Sequence, residues 1–263
     1  MTIVPAIVVA AASLSVVMAL AWWVVIASGR SGWADTFWSY GTGLVGVAAL
    51  WWASGNMLEG RMLLVAALLG LWALRLGTHI ARRTLNGGDD PRYAELRRDW
   101  GERYRSQLFV FLQIQAAAAL VLVIAVLTAA GNPAPLGVGD VLGIVIALFA
   151  IAGEAVSDAQ LSAFKADRAN AGRVCDVGLW SLSRHPNYFF EWLYWLAYPA
   201  IGIGLGYPWG WLTLLAPVMM YWLLVHVSGI PPLEAHMLRS RGDAFRSYMA
   251  RTSAFFPLPP RKA

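Results

Sequence analysis

Residues 108–130 read LFVFLQIQAAAALVLVIAVLTAA, a run of 23 residues without a charge. An α-helix rises 1.5 Å per residue, so about 20 apolar residues are enough to cross the hydrocarbon core of a bilayer. The segment just before this run, 82–106, carries seven arginines. A long uncharged run beside a basic loop is typical of a membrane-spanning helix, whereas barrel strands are shorter and alternate in polarity.

The composition of the whole chain agrees with this segment. Hydrophobic residues make up 59% of the 263 residues and charged residues only 13%, about half the usual charged fraction. The mean hydropathy is +0.57, and there are 14 Trp. One soluble core could not bury so much apolar surface, and Cys175 has no second cysteine to pair with. These facts exclude an ordinary cytosolic enzyme, a disordered chain and a disulfide scaffold.

The same pattern predicts about seven spanning segments, and so an all-α polytopic membrane bundle. The first segment begins at Met1 without a basic flank and runs past 20 apolar residues, so we expect a retained helix and not a cleaved signal. No composition shift marks a separate soluble domain, so 1–263 is predicted to be a single integral membrane domain. The predicted segments are 2–27, 34–55, 61–82, 108–130, 138–162, 187–206 and 209–230.

The basic residues predict the orientation of the chain. With seven spans, eighteen of the twenty Lys and Arg residues lie on one side, in the segments 82–106 and 163–187, in the tail from 234 and at Arg30. The positive-inside rule then puts the N-terminus outside and the C-terminus in the cytoplasm. The isoelectric point near 9.6 follows from this topology, and acids are interspersed among the seven arginines. We therefore expect the lipid bilayer as a partner and no nucleic acid.

Ionisable side chains inside predicted spans are costly, so each is a candidate functional residue. Structural alternatives stay open for several of them. Asp35 also fits a helix N-cap, Arg75 and His79 fit side chains that reach toward the cytoplasmic surface, and His226 fits a buried core histidine.

The densest polar group lies in the C-terminal half. Glu154 and Asp158 share one helical face, where two carboxylates repel, so we expect one to be protonated or paired with a cation. Pro186 is predicted to begin a helix with Asn187 and Glu191 on one face. Basic residues and a helix N-terminus nearby suit an anionic cofactor. The group comprises Glu154, Asp158, Lys165, Arg173, Arg184, His185, Asn187, Tyr188 and Glu191.

Several common cofactor motifs are missing from the sequence. It has no GxGxxG after a strand, no Walker loop, and no CxxC or HExxH pattern. We therefore expect neither a Rossmann domain nor a P-loop nor a metal site. A dinucleotide would bind between membrane helices.

Four motifs resemble the steroid 5α-reductase family in its compact bacterial form. They are RHPNYFFE at 184–191 within the run GLWSLSRHPNY at 178–188, FKAD at 164–167, DPRY at 90–93, and a tail with Glu234 and YMART at 248–252. The likeness is strongest over 140–260. Δ14 and Δ7 sterol reductases share this half, and isoprenylcysteine carboxyl methyltransferases share it more loosely.

The resemblance implies a seven-helix bundle of the bacterial inner membrane that binds NADPH at its cytoplasmic side. It implies reduction of the activated C=C bond of a 3-oxo-Δ4 steroid or a similar lipid enone, with helices after 108 binding the cofactor and 1–107 on the substrate side. Lys165 stands where the animal enzymes have Arg, and Glu154 where they have Asn. The implied cofactor contacts are Glu154, Asp158, Lys165, Arg173, Arg184, His185, Asn187, Glu191, His226 and Glu234.

The substrate end departs from the family. Animal enzymes hold the steroid carbonyl with a Glu in helix two and a Tyr in helix three. Here the nearest acid is Asp35, and the third predicted span has no Tyr in LWALRLGTHI at 71–80. We expect a protonated Asp35 to donate a hydrogen bond to the carbonyl, with His79 and Tyr188 as further catalytic candidates.

Two other classes stay open. An S-adenosylmethionine-dependent membrane methyltransferase shares the RHPxYxxE pattern more loosely and would need carboxylates around its sulfonium. The basic residues Lys165, Arg168, Arg173 and Arg184 favour NADPH instead, because its phosphates need cations. A transporter or scaffold is the third class, and the lack of similarity between the two halves speaks against it.

Overall fold

The protein is all-helical over the residues that its computed structural model describes, 3–87 and 90–261. Eleven α-helices cover most of this part of the chain. Their bounds are α1 Ile3–Ser28, α2 Gly32–Ala53, α3 Gly60–Leu85, α4 Pro91–Trp100, α5 Tyr104–Ala130, α6 Val138–Ala166, α7 Leu179–Leu182, α8 Pro186–Trp195, α9 Ala197–Gly202, α10 Leu215–Trp222 and α11 Ile230–Arg251. Short 3₁₀ turns and a π-helical turn at Leu223–Val227 join some of them.

Five helical stretches are long and apolar enough to cross a membrane, so this is an integral multi-pass membrane protein. They agree with five of the seven predicted segments, and seven spans stay a prediction. The helix α2 lies at the second predicted segment but carries four glycines and an aspartate. The five stretches are Ile3–Ser28, Gly60–Leu85, Arg92–Ala130, Val138–Ala166 and Pro208–Arg251.

The predicted segment 187–206 is not one helix. The helix α8 ends at Trp195, and the six-residue helix α9 ends at Gly202. Pro199 has no N–H to donate to the carbonyl of Trp195, so a continuous α-helix would leave that carbonyl without its partner. Neither piece alone has the 20 residues that a span needs.

The chain forms two compact units. The first unit comprises Met1–Ile144 and Tyr198–Ala216. Within it α2 packs against α1, α3 and α5. A Cβ on Gly43 of α2 would lie 2.2 Å from the Cβ of Ala73 in α3, so only glycine permits this spacing. Small residues that allow such close approach are typical of helix packing in membranes.

A buried ion pair also stabilises the first unit. Arg61 at the start of α3 donates two parallel hydrogen bonds, both 2.7 Å long, to the carboxylate of Asp140 in α6. Both residues are less than a tenth exposed. The remaining guanidinium hydrogens reach the backbone carbonyls of Asn132, Ala134 and Pro135. All five donors of this arginine are therefore satisfied inside the protein.

The second unit comprises Val145–Ala197 and Pro217–Ala263. Near its end, residues 253–258 lie beside residues 182–184, with one isolated bridge between Ser183 and Ser253. The amide of Arg184 donates to the carbonyl of Ser253 at 2.8 Å, and the amide of Leu258 donates to Leu182 at 3.0 Å. The hydroxyl of Ser183 donates to the carbonyl of Phe255 at 2.8 Å. The C-terminal segment therefore fixes the residues that lead into α8.

Candidate functional site

Two facing helices of the second unit carry the predicted acidic and amide residues. Glu154 and Asp158 are buried on α6, and Glu191 is buried on α8. The amide of Asn187 on α8 donates to the carboxylate of Asp158 at 3.4 Å. The indole of Trp195 donates to Glu191 at 3.0 Å. The structure therefore brings the α6 and α8 candidates together, and α8 begins at Pro186 as predicted.

Glycine makes this approach of α6 and α8 possible. A Cβ on Gly153 would lie 2.3 Å from the ring of Phe190. Glu154 and Glu191 directly follow these two residues in the chain, so the close contact fixes the spacing of the two helices that carry both carboxylates. Burial of carboxyl groups without water requires partners or protonation.

The second cluster joins Arg184, His185 and Glu234. Arg184 donates to both oxygens of Glu234, at 2.7 and 3.2 Å, and its third nitrogen donates to the carbonyl of Thr252 at 2.6 Å. The guanidinium is nearly buried, with 9% of the side chain exposed. Arg184 thus anchors the start of α8 to Glu234 and to the end of α11.

His185 shares the carboxylate of Glu234. Its Nε2 lies 3.0 Å from the Oε1 of Glu234, and its ring stacks on Tyr188 with centroids 5.5 Å apart. Burial lowers the pKa of His185, and the hydrogen bond to Glu234 opposes this without reversing it. The neutral ring with Nε2–H toward the carboxylate leaves Nδ1 as an acceptor. Among the described residues, this buried Nδ1 has no hydrogen-bond partner.

One of the basic candidates, Arg173, lines a cavity of about 520 Å³ in the second unit. Arg173 lines this cavity with Asn170, whose side chain accepts a hydrogen bond from the guanidinium at 3.3 Å. Phe164 and Gln160 also line it, together with two carboxylates, Asp167 and Asp176. Lys165 is exposed at the end of α6 and is not part of the lining.

His226 lies in the π-helical turn, where its ring meets Tyr221 edge-on at 5.8 Å. It is exposed, so the open alternative of a buried core histidine is wrong. His79 is half-buried on α3 in the first unit, one turn after Arg75.

Asp35 belongs to a polar cluster of the first unit. Helix α2 has Ser31 as its N-cap, so the N-cap alternative for Asp35 is wrong. Its carboxylate accepts a hydrogen bond from Arg92 at 2.6 Å and another from the hydroxyl of Tyr93 at 2.8 Å. The amide of Gln115 donates to the same hydroxyl at 3.3 Å. Asp35 acts here as an acceptor, and the proton beside it belongs to Tyr93.

Arg92 is held on its other side by Asp90, which accepts from its Nε and from its backbone N–H. Burial alone would raise the pKa of Asp90, but the charge and hydrogen bonds of Arg92 and the charge of Arg83 lower it to about 2. The DPRY motif thus forms the α4 N-cap and supplies both partners of Asp35.

Sequence reasoning did not pair Tyr93 with Asp35, which lies 58 positions earlier in the chain. A tyrosine of α4 therefore contacts this acid, although the third predicted span has no tyrosine in LWALRLGTHI at 71–80. The sequence pattern placed Tyr248 in the YMART motif at 248–252 but predicted no contact for it. Its hydroxyl donates to the backbone carbonyls of Trp180 and Ser183, so it holds the loop before α8.

A family model described as "Protein of unknown function (DUF1295)" matches residues 21–252. The match covers most of the chain, so the protein belongs to this family. The search of curated proteins found no match, and neither did the search of solved structures. Among the described residues no group of three or more His, Cys, Asp or Glu could hold a metal ion.

Proposed function

We propose that the protein is an NADPH-dependent membrane reductase that adds hydride to the C=C bond of a 3-oxo-Δ4 steroid or a similar lipid enone. In this proposal it spans the bacterial inner membrane about seven times, with the N-terminus outside. The C-terminus and the cofactor end face the cytoplasm. The observation that carries the proposal is the contact of Asn187 with Asp158, because the reductase resemblance assigns both to the cofactor.

Several side chains of the second unit support the choice of this cofactor. The cavity at Arg173 is large enough for a nucleoside, and a guanidinium at its wall suits a phosphate. Arg184 donates to Glu234 and to two backbone carbonyls, so we assign it a positioning role within the protein. We propose that Arg173 and Lys165 bind the phosphates. The buried acceptor on His185 suits a neutral donor group.

When bound, NADPH supplies the hydride for the β-carbon of the enone. In the second unit, Asn187, Asp158 and Glu191 orient the cofactor through hydrogen bonds. In the first unit, Tyr93 would turn its single hydroxyl proton from Asp35 to the substrate carbonyl. Gln115 would still donate to the hydroxyl oxygen, and Arg92 would still donate to Asp35. A donor fixed in a dry site stabilises the negative charge that develops on this oxygen.

The test is NADPH consumption by detergent-purified protein with progesterone, with the product identified by mass. We expect steroid-dependent turnover in the wild type and its loss in Asn187→Ala and Glu191→Ala. Thermal stabilisation by NADPH without turnover would support NADPH as the cofactor and reject the steroid as the substrate. Wild-type rates in both variants would reject the site.

An S-adenosylmethionine-dependent methyltransferase is the second candidate. The engagement of Arg184 by Glu234 favours it, because one cation fewer faces a phosphate. The buried carboxylates Glu154, Asp158 and Glu191 would also suit a sulfonium. Stabilisation by S-adenosylmethionine and none by NADPH would establish this candidate in place of the reductase.

A further inference from the structure

The ring of His185 carries a buried nitrogen that has no hydrogen-bond partner among the described residues. Only 3% of this residue is exposed. Its Nε2 is taken by Glu234 at 3.0 Å, and its Nδ1 is buried without a partner among the described residues. A buried polar atom that stays unpaired is destabilising, so native proteins rarely keep one without a use for it.

The surrounding contacts decide which group Nδ1 can bind. Glu234 is an acceptor toward His185, and Arg184 holds that carboxylate through two hydrogen bonds. The proton of a neutral ring therefore stays on Nε2, and Nδ1 offers a lone pair. Stacking on Tyr188 fixes the plane of the ring. A group that pairs with Nδ1 of His185 must therefore be a hydrogen-bond donor.

The position of His185 in the chain indicates which half of NADPH it would contact. The cavity that suits a phosphate is lined by Arg173 and Asn170, and His185 is not among its lining residues. His185 instead immediately precedes α8, which carries Asn187 and Glu191. The nicotinamide nucleoside half of NADPH offers neutral donors of two kinds, the carboxamide N–H and the ribose O–H.

We propose that Nδ1 of His185 accepts a hydrogen bond from a neutral N–H or O–H donor of the nicotinamide nucleoside, with Glu234 and Arg184 as positioning residues that hold the tautomer. This inference rests on the proposed reductase function. It makes the RHP segment a ligand-recognition element and assigns Arg184 a role without contact to the ligand.

Two substitutions separate the two ring nitrogens. His185→Gln places an amide near the Nε2 position and can still donate to Glu234, but it has no acceptor at Nδ1. His185→Asn places an amide oxygen near Nδ1 and loses the contact with Glu234. We expect His185→Gln to keep the unfolding temperature and bind NADPH about three- to tenfold more weakly. His185→Asn should unfold at a lower temperature yet bind more tightly than His185→Gln.

The measurement is titration of NADPH fluorescence beside thermal unfolding of each variant. Equal NADPH affinity in the wild type and His185→Gln would overturn the inference while leaving the reductase intact. Affinity that follows unfolding temperature across both variants would also overturn it, since that is the result of a purely structural role. A wild type that does not bind NADPH would reject the proposed function, and the inference with it.

Two further readouts do not depend on activity. The reduced 3-acetylpyridine analogue lacks the carboxamide N–H, so weaker binding of this analogue to the wild type, but not to His185→Gln, assigns the donor to the carboxamide. Equal binding of analogue and NADPH, with His185→Gln still impaired, assigns it to a ribose hydroxyl. The ¹⁵N spectrum of the four labelled histidines should show Nδ1 of His185 unprotonated and shifted by NADPH. A protonated Nδ1 would contradict the proposal.

Discussion

Two buried arginine–carboxylate networks differ in one respect. In the first unit, Arg61 and Asp140 use every guanidinium donor on protein acceptors. In the second unit, Arg184 makes four hydrogen bonds to Glu234 and to two backbone carbonyls, but the network ends on His185, whose buried Nδ1 has no partner among the described residues. A closed network can only stabilise the fold, whereas an open one can also bind a ligand.

The largest expected effect breaks the closed network. Arg61→Met leaves the carboxylate of Asp140 buried without its cation, which should lower the free energy of unfolding by about 3–5 kcal/mol. Thermal or denaturant unfolding in detergent measures it. Arg98→Ala is the matched control, since its partner Glu95 is three residues away and the arginine is two-thirds exposed. We expect a control effect below about 1 kcal/mol.

A double variant that removes both Arg61 and Asp140 tests whether the unpaired charge causes this loss of stability. Arg61→Met combined with Asp140→Leu should regain much of the stability, because no buried charge is left unpaired. A single variant as stable as the wild type would show that the network is not essential for the fold.

The next effect concerns a third polar cluster, the one at Asp35 in the first unit. Tyr93→Phe removes the donor beside the carboxylate and should lower kcat by about 10²- to 10³-fold. Steroid-dependent NADPH oxidation measures it. Tyr40→Phe is the control, since that hydroxyl lies 2.7 Å from Thr78 and has no proposed role in chemistry. An equal loss of kcat in both variants would mean that Tyr93 acts only through structure.

The cavity of the second unit gives a smaller effect. Arg173→Ala should weaken NADPH about 10- to 100-fold, because a hydrogen bond to a charged phosphate is lost. Among the phosphates we assign the 2′-phosphate to Arg173, so the affinity for NADH, which lacks this group, should change less. Arg168→Ala serves as control, because Arg168 is exposed and does not line the cavity. Equal losses for NADPH and NADH would reject the assignment to the 2′-phosphate.

The smallest effect is a pH dependence of stability. Burial lowers the folded pKa of His185 below its usual 6.5, so below that pH the unfolded chain binds more protons than the folded one. Stability should therefore fall as the pH drops below 6.5, by at most about 1.4 kcal/mol per pH unit for this group. The slope between pH 7.5 and 5.5 should be shallower in His185→Gln, and equal slopes would contradict this cause.

The sequence predicted the long apolar helices well. The predicted span 108–130 lies within α5, and 138–162 lies within α6, because uncharged runs of this length have few alternatives in a membrane. The prediction was less successful at 187–206, where Pro199 interrupts the helix. Hydropathy counts apolar side chains and does not register a missing N–H.

The site was predictable where it follows helical periodicity. Spacing of four residues put Glu154 beside Asp158 and Asn187 beside Glu191, and both pairs lie on the predicted helices. Contacts over long chain separations were not predictable from spacing. Arg184 meets Glu234 fifty positions later, and its remaining donors reach backbone carbonyls, which carry no sequence signal.

The most direct test of the reductase proposal is transfer of deuterium from NADPH labelled at C4 of the nicotinamide ring. We predict that purified protein converts a 3-oxo-Δ4 steroid into a saturated product that carries one deuterium when the transferred hydrogen is the labelled one. Two stereospecific labels test both faces of the ring. Reduced product without deuterium from either label, or methylated product formed from S-adenosylmethionine, would contradict it.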